Sequence, residues 1–236
     1  MSGWAAKRFW KKADVVEVEG GFSVTLDGRS VKTPAKAALI VPTRAMAEAI
    51  AAEWDAQVEK IDPGTMPVTR GANAAIDKVR SQHAEVAHLI AEYGGTDLLC
   101  YRAEAPDELV ARQAAAWDPL LDWARAAFGA DLRVTAGVIP VAQDRAALEP
   151  LEAAVAAMTE FELAALHDLV GISGSLILGL AVSRRRLDAE TAWNLSRIDD
   201  DWQIEQWGAD EEAVEHAARK RADLLAAARF WALLGL

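Results

Sequence analysis

The apolar residues change their spacing once along this chain, and that change limits the fold more than any motif does. Over residues 14–42 they alternate with polar ones: Val16 and Val18 with Glu17 and Glu19, then Phe22, Val24 and Leu26 after a Gly20-Gly21 turn. A period of two sends successive side chains to opposite faces of a strand, so this stretch predicts a small antiparallel sheet with one face buried. Asp27-Gly28 is a strong hairpin signal, and residues 31–33 and 38–41 read as further strands. Thr43 is then placed to cap a helix whose apolar stripe is Met46, Ile50, Trp54, Val58 and Ile61. That helix covers the open face of the sheet and ends at Asp62-Pro63-Gly64.

Beyond residue 68 the chain is rich in alanine and its apolar spacing is helical. Helical segments are predicted at 70–93, 106–128, 144–160, 162–183, 188–207 and 211–234. Gly94-Gly95 closes the first, 98–101 is a short extended piece, and 133–142 is a loop or short strand. Asp118-Pro119 predicts a restarted helix inside the second segment, with the aspartate capping and the proline in the first position. The fold class is therefore α+β. A small antiparallel-sheet-plus-helix domain (1–68) precedes a larger all-α helical bundle domain (69–236).

Charge and cysteine content narrow the function. Asp and Glu outnumber Lys and Arg 36 to 25, a formal net charge of -11. That field repels phosphate backbones and anionic lipid heads, which argues against nucleic acid as a partner and against a membrane-surface role. A single cysteine, Cys100, excludes an intrachain disulfide and a multi-cysteine zinc site. The longest apolar run, 169–182, falls short of the roughly 20 residues that span a bilayer and reads as a buried core helix, so no stable membrane insertion is expected. The first residues are basic but lack the apolar stretch of a signal peptide. The chain reads as soluble and intracellular.

The search for chemistry comes up thin. Gly171-Ile172-Ser173-Gly174-Ser175 lacks the lysine and spacing of a phosphate loop. His83 and His88 are five apart and do not share a helix face. Cys100, among Leu98, Leu99 and Tyr101, reads as a core thiol. Arg184-Arg185-Arg186 reads either as a grip for a phosphate or an acidic partner or, the favoured reading, as cations that complement the carbonyl end of the preceding apolar helix. Asp199-Asp200-Asp201 suggests magnesium, but consecutive helical residues point about 100° apart and do not converge on one ion. On the helical wheel Leu195, Ile198 and Trp202 form the apolar stripe, Asp199 and Gln206 border it, and Asp200 faces water. Asp199 is thus the carboxylate expected to be partly buried, paired with an arginine of this chain or with a group on another protein. Nine tryptophans against two tyrosines supply large apolar anchors, with Trp54 and Trp117 on core stripes.

Several phrases occur together in order: Arg8-Phe9-Trp10, Leu26-Asp27-Gly28-Arg29 with Thr33-Pro34, and Ala52-Glu53-Trp54-Asp55-Ala56-Gln57. Further on come Asp97-Leu98-Leu99-Cys100-Tyr101-Arg102, then Gln113 with Trp117-Asp118-Pro119, and finally 196–208 with its closing Gln206-Trp207-Gly208. As a set they closely resemble the assembly chaperone of the α subunit of the F-type ATP synthase catalytic sector, a family of mitochondria and α-proteobacteria. The resemblance covers nearly the whole chain. It implies a chaperone, not an enzyme, with no cofactor, metal or catalytic residue. Its partner is the free α subunit, whose apolar surface it shields until the β subunit arrives.

The resemblance also implies an N-terminal α/β domain followed by a helical one. It further implies a functional acidic residue before Gln-Trp-Gly, here matching Asp199. With it, Trp202, Glu205, Gln206 and Trp207 form the expected partner face. The expected compartment is the bacterial cytoplasm, with the mitochondrial matrix for eukaryotic relatives. Two other readings stand beside this one. One is a metal- or nucleotide-dependent small hydrolase using the 199–205 carboxylates; the other is a membrane-surface module built on residues 1–12 and Arg184-Arg185-Arg186.

Overall fold

The computed structural model describes residues 7–137 and 139–235. Residues 1–6 of the 1–12 stretch invoked for a membrane module lie outside them, while its basic residues Lys7, Arg8, Lys11 and Lys12 lie within. The chain divides into two compact units. One holds the described residues up to His83, Thr159–Ala165 and the residues from Arg229 on; the other holds Ala84–Met158 and Leu166–Ala228.

In the first unit, β1 (Ala13–Val18) and β2 (Gly21–Leu26) form the expected hairpin, in register from Ala13 opposite Leu26 to Val18 opposite Gly21. On the other edge of β2, β3 (Arg29–Ser30) pairs with Thr25 and Leu26, while β4 (Ile40–Val41) pairs with Phe22 and Ser23. The strand read at 31–33 does not form, since β3 lies before it and Lys32 makes only an isolated bridge with Ala38, and the strand read at 38–41 shortens to Ile40–Val41. The expectation of one buried face also needs correction, because Ser23, Val24, Thr25 and Leu26 are all buried. Polar residues are tolerated on the second face where they are bonded, as Ser23 Oγ is to the Leu39 carbonyl at 2.8 Å.

Helix α1 (Arg44–Asp55) is capped by Thr43, whose Oγ1 accepts from the Met46 N–H and donates to the Leu233 carbonyl at 2.6 Å. Met46 and Ile50 are fully buried over the sheet. The helix stops before Val58 and Ile61, which are therefore not on its stripe; Val58 is 81% exposed. Tertiary hydrogen bonds end it. The Arg8 guanidinium takes the carbonyls of Asp55 and Gln57, and the buried Gln57 amide bonds Glu53 O and the Asp62 N–H. Glu53 in turn caps α2 (Pro67–Asp77), accepting from the N–H groups of Val68 and Thr69 at 2.7 and 2.8 Å.

The segment read as one helix over 70–93 is broken. After α2 comes a 3₁₀ turn (Val79–Ser81), then α3 (His83–Glu92). Residues 98–101 are not extended throughout: Leu98–Cys100 form a 3₁₀ turn, and β5 (Tyr101–Arg102) pairs in parallel with β6 (Thr135–Ala136).

In the second unit α4 (Asp107–Phe128) runs unbroken through Pro119, against the predicted restart. An interior proline costs about 3 kcal/mol in a helix, so packing must hold both sides. Trp117 and Leu120 are buried, and Trp117 Nε1 donates to the Leu195 carbonyl at 2.9 Å. Asp118 does not cap; it pairs with Arg102 at 2.8 Å.

After α5 (Arg145–Ala156), the run predicted over 162–183 splits into α6 (Glu160–Ser173) and α7 (Leu176–Ser183). Gly174 adopts φ +72° at the break, and Ser175 caps the new helix through the Leu178 N–H. All eight residues of α7 are buried, and α4 and α8 (Ala189–Ser196) pack on it. Arg197 separates α8 from α9 (Ile198–Trp207), so the span 188–207 is also two helices; α10 (Glu211–Ala232) follows. Among the described residues no helix is long and apolar enough to cross a membrane.

Candidate partner-binding site

Helix α9 is unusual in how little of it is buried. Ile198 is its one buried residue, and Asp199, Asp201, Trp202 and Ile204 are half-buried. Because α8 ends at Ser196, Leu195 does not share a stripe with Ile198 and Trp202 as the sequence suggested. What fixes the helix is polar. Asp199 Oδ1 accepts from Gln113 Nε2 at 2.5 Å, and Gln113 Oε1 accepts from the Ala103 N–H at 2.8 Å. The partner of Asp199 is thus a buried amide of α4, not an arginine.

One residue before Gln113, Arg112 grips Glu205 with both nitrogens at 2.8 and 2.9 Å and lies 4.9 Å from the centre of the Trp202 ring. The guanidinium holds the Glu205 carboxyl below the usual range, and Glu205 raises the Arg112 guanidinium in turn. Asp200 and Asp201 turn the other way, to Arg197 at 3.0 and 3.4 Å. The three adjacent carboxylates thus divide between two partners, Gln113 for Asp199 and Arg197 for Asp200 and Asp201, and do not converge on one point. Gln206 and Trp207 are exposed, Trp207 at 79%, before Gly208 ends the helix.

Asp199, Trp202 and Glu205 therefore meet α4, whereas Gln206 and Trp207 meet solvent. Sequence reasoning did not find Arg112 or Gln113 as their partners. A signal was present: Gln113 interrupts the buried stripe Leu109, Trp117, Leu120 at helical spacing. An amide in such a place needs bonding groups opposite it.

Cys100 is buried, and burial pushes its thiol up to about 12, which leaves no reactive thiolate. Arg184, Arg185 and Arg186 are exposed, with Arg184 5.8 Å from the centre of the Phe128 ring.

A family model described as ATP12 chaperone protein matches residues 7–125, half of the chain. The chain belongs to the ATP12 chaperone family. ATP12 proteins are chaperones of ATP synthase assembly rather than enzymes, which sets aside the hydrolase alternative. Among curated relatives, mitochondrial protein atp12 of Schizosaccharomyces pombe is 27% identical over 221 residues, covering 89% of this chain and 76% of the relative. The crystal structure of Atp12 from Paracoccus denitrificans superposes with a TM-score of 0.95 at 54% identity, covering 98% of this chain and all of the other. An aspartate-to-lysine variant of the P. denitrificans protein matches equally well. The crystal structure of the Atu1473 protein of Agrobacterium tumefaciens matches with a TM-score of 0.93 at 44% identity, over 97% of this chain and 86% of its own. The ATP12 family model ends before α9, so Arg112 and Gln113 lie inside the matched region and Asp199 and Trp207 beyond it.

Proposed function

We propose that this ATP12-family chain receives the free α subunit of the F-type ATP synthase catalytic sector and shields its apolar surface until the β subunit takes its place. The observation that supports this most is Trp207, 79% exposed at the end of α9. Large aromatics bared to water are the side chains from which interface anchors are drawn. Around it stand the other residues of the proposed face, Gln206 exposed beside it and then Glu205 and Trp202, while Asp199 lies behind them, bonded to Gln113 of α4. Interfaces made for a permanent partner are apolar, so a subunit awaiting its partner needs such a surface covered. The formal charge of -11 keeps the chaperone soluble and draws it toward basic patches of its client. The proposed compartment is a bacterial cytoplasm, in keeping with 54% and 44% identity to bacterial proteins.

The test is co-purification with separately expressed α and β subunits of the cognate ATP synthase. We expect retention of α alone, kept soluble and released when β is added. Trp207→Ser should weaken that retention about tenfold or more, while the thermal midpoint stays within the small range of surface substitutions. If neither subunit is retained and α aggregates as before, the proposal fails.

A further inference from the structure

The structure assigns Gln113 the task of holding α9 in the rotation that presents its outer face, with Asp199 as the group it holds rather than a group the client touches. This rests on the reading of α9 as the partner face. A helix with one buried residue has little apolar contact to fix its rotation about its own axis, and directional hydrogen bonds must do so instead.

Gln113 is built for that. It is 1% exposed, and the Ala103 N–H occupies its oxygen, which leaves its amino group to face Asp199. With Trp117 on the Leu195 carbonyl and Arg112 on Glu205, α4 grips the chain from the end of α8 to the last turn of α9. Gln113 is the buried, uncharged centre of those three contacts. It is a positioning residue: turning α9 by one residue step of about 100° would carry Trp207 away from its present outlook.

The experiment uses the full chain, the purified α subunit and three variants. Gln113→Glu keeps the shape and the Ala103 bond but sets a carboxylate against Asp199. Asp199→Asn removes the charge yet keeps an oxygen that accepts from Gln113. The double variant Q113E/D199N reverses the polarity of the pair and restores a donor and an acceptor. Two quantities are read: affinity for α, and amide hydrogen exchange across α9 in the free chain. We expect Gln113→Glu to weaken α binding and to speed α9 exchange, each about tenfold. Asp199→Asn and the double variant should bind within about twofold of the wild type.

A loss in Asp199→Asn equal to that in Gln113→Glu, without rescue in the double variant, would mean the charge itself meets the client and would overturn the assignment. Unchanged α9 exchange in Gln113→Glu would overturn it too. If the wild-type chain does not bind α, the functional reading fails, and the exchange measurement on the free chain still decides the clamp.

Discussion

Asp97 and Ser175, 78 residues apart in sequence, are joined at 2.7 Å by a hydrogen bond from the Ser175 hydroxyl to Asp97 Oδ1. Asp97 Oδ2 takes the Ile177 N–H at 3.0 Å, and Oδ1 also takes the Leu99 N–H at 3.0 Å, so one carboxylate ties the 98–100 turn to the first turn of α7. Removing it strands buried donors at the start of the helix at the centre of the second unit. We expect Asp97→Ala to lose roughly 3 kcal/mol in urea unfolding at pH 7.

The same carboxylate has a pH signature. Complete burial raises Asp97 from 3.8 to about 6, against the lowering effect of its hydrogen bonds. Between those values the folded protein holds a proton that the unfolded chain has released. Its contribution to stability is therefore full below about pH 4 and lost as the pH rises through about 6. Asp97→Asn should remove that decline from a plot of unfolding free energy against pH. An identical slope in wild type and variant would refute this account.

Gly179 marks where α7 presses on α6. A Cβ there would stand 2.5 Å from Val170 Cγ2 and 3.2 Å from Leu166 Cδ1. Alanine gains about 1 kcal/mol over glycine inside a helix, but overpacking a dense core costs about 1–3 kcal/mol. Gly179→Ala should therefore lower the thermal midpoint. Gly171→Ala is the control, since its Cβ would meet only the Tyr93 hydroxyl, at 3.9 Å. It should be neutral or raise the midpoint.

Trp54 packs edge-on against the buried Trp10, with ring centres 5.2 Å apart. Its indole nitrogen is buried without a hydrogen-bond partner. Trp54→Arg places a charge in that contact and should destabilise by about 3 kcal/mol in chemical unfolding. Trp54→Phe keeps a ring, loses no hydrogen bond and should fall by only about 1 kcal/mol. Equal stabilities for the two variants would show that the pair is not part of the core.

Much of this molecule was legible in the sequence because the signals are local. The period of two gave the β1–β2 hairpin, Thr43 announced the start of α1, and the resemblance of the assembled phrases pointed to the chaperone family. Asp199 was legible as a partly buried carboxylate of α9 from the 100° step and the Ile198–Trp202 stripe, whereas the half-burial of Asp201 was not. The hairpin, the cap and the burial of Asp199 depend on side chains within a few residues of one another, where chain geometry fixes which face they share; the resemblance rests instead on short phrases kept in order along the whole chain.

Tertiary structure decided the rest. Arg8 and the Gln57 amide end α1 before Val58, Trp117 and Leu120 carry α4 through Pro119, and the Leu233 carbonyl returns to the cap of α1. The partner of Asp199 lies 86 residues away, and its identity as a glutamine has no echo near Asp199 in the chain. Such contacts are made between groups that only folding brings together, so no periodicity records them. The sequence by itself determined the order of sheet then helices and the apolar stripe that buries Met46 and Ile50; the packed chain determined where the helices break and stop and which polar groups hold α9 with Trp207 facing water.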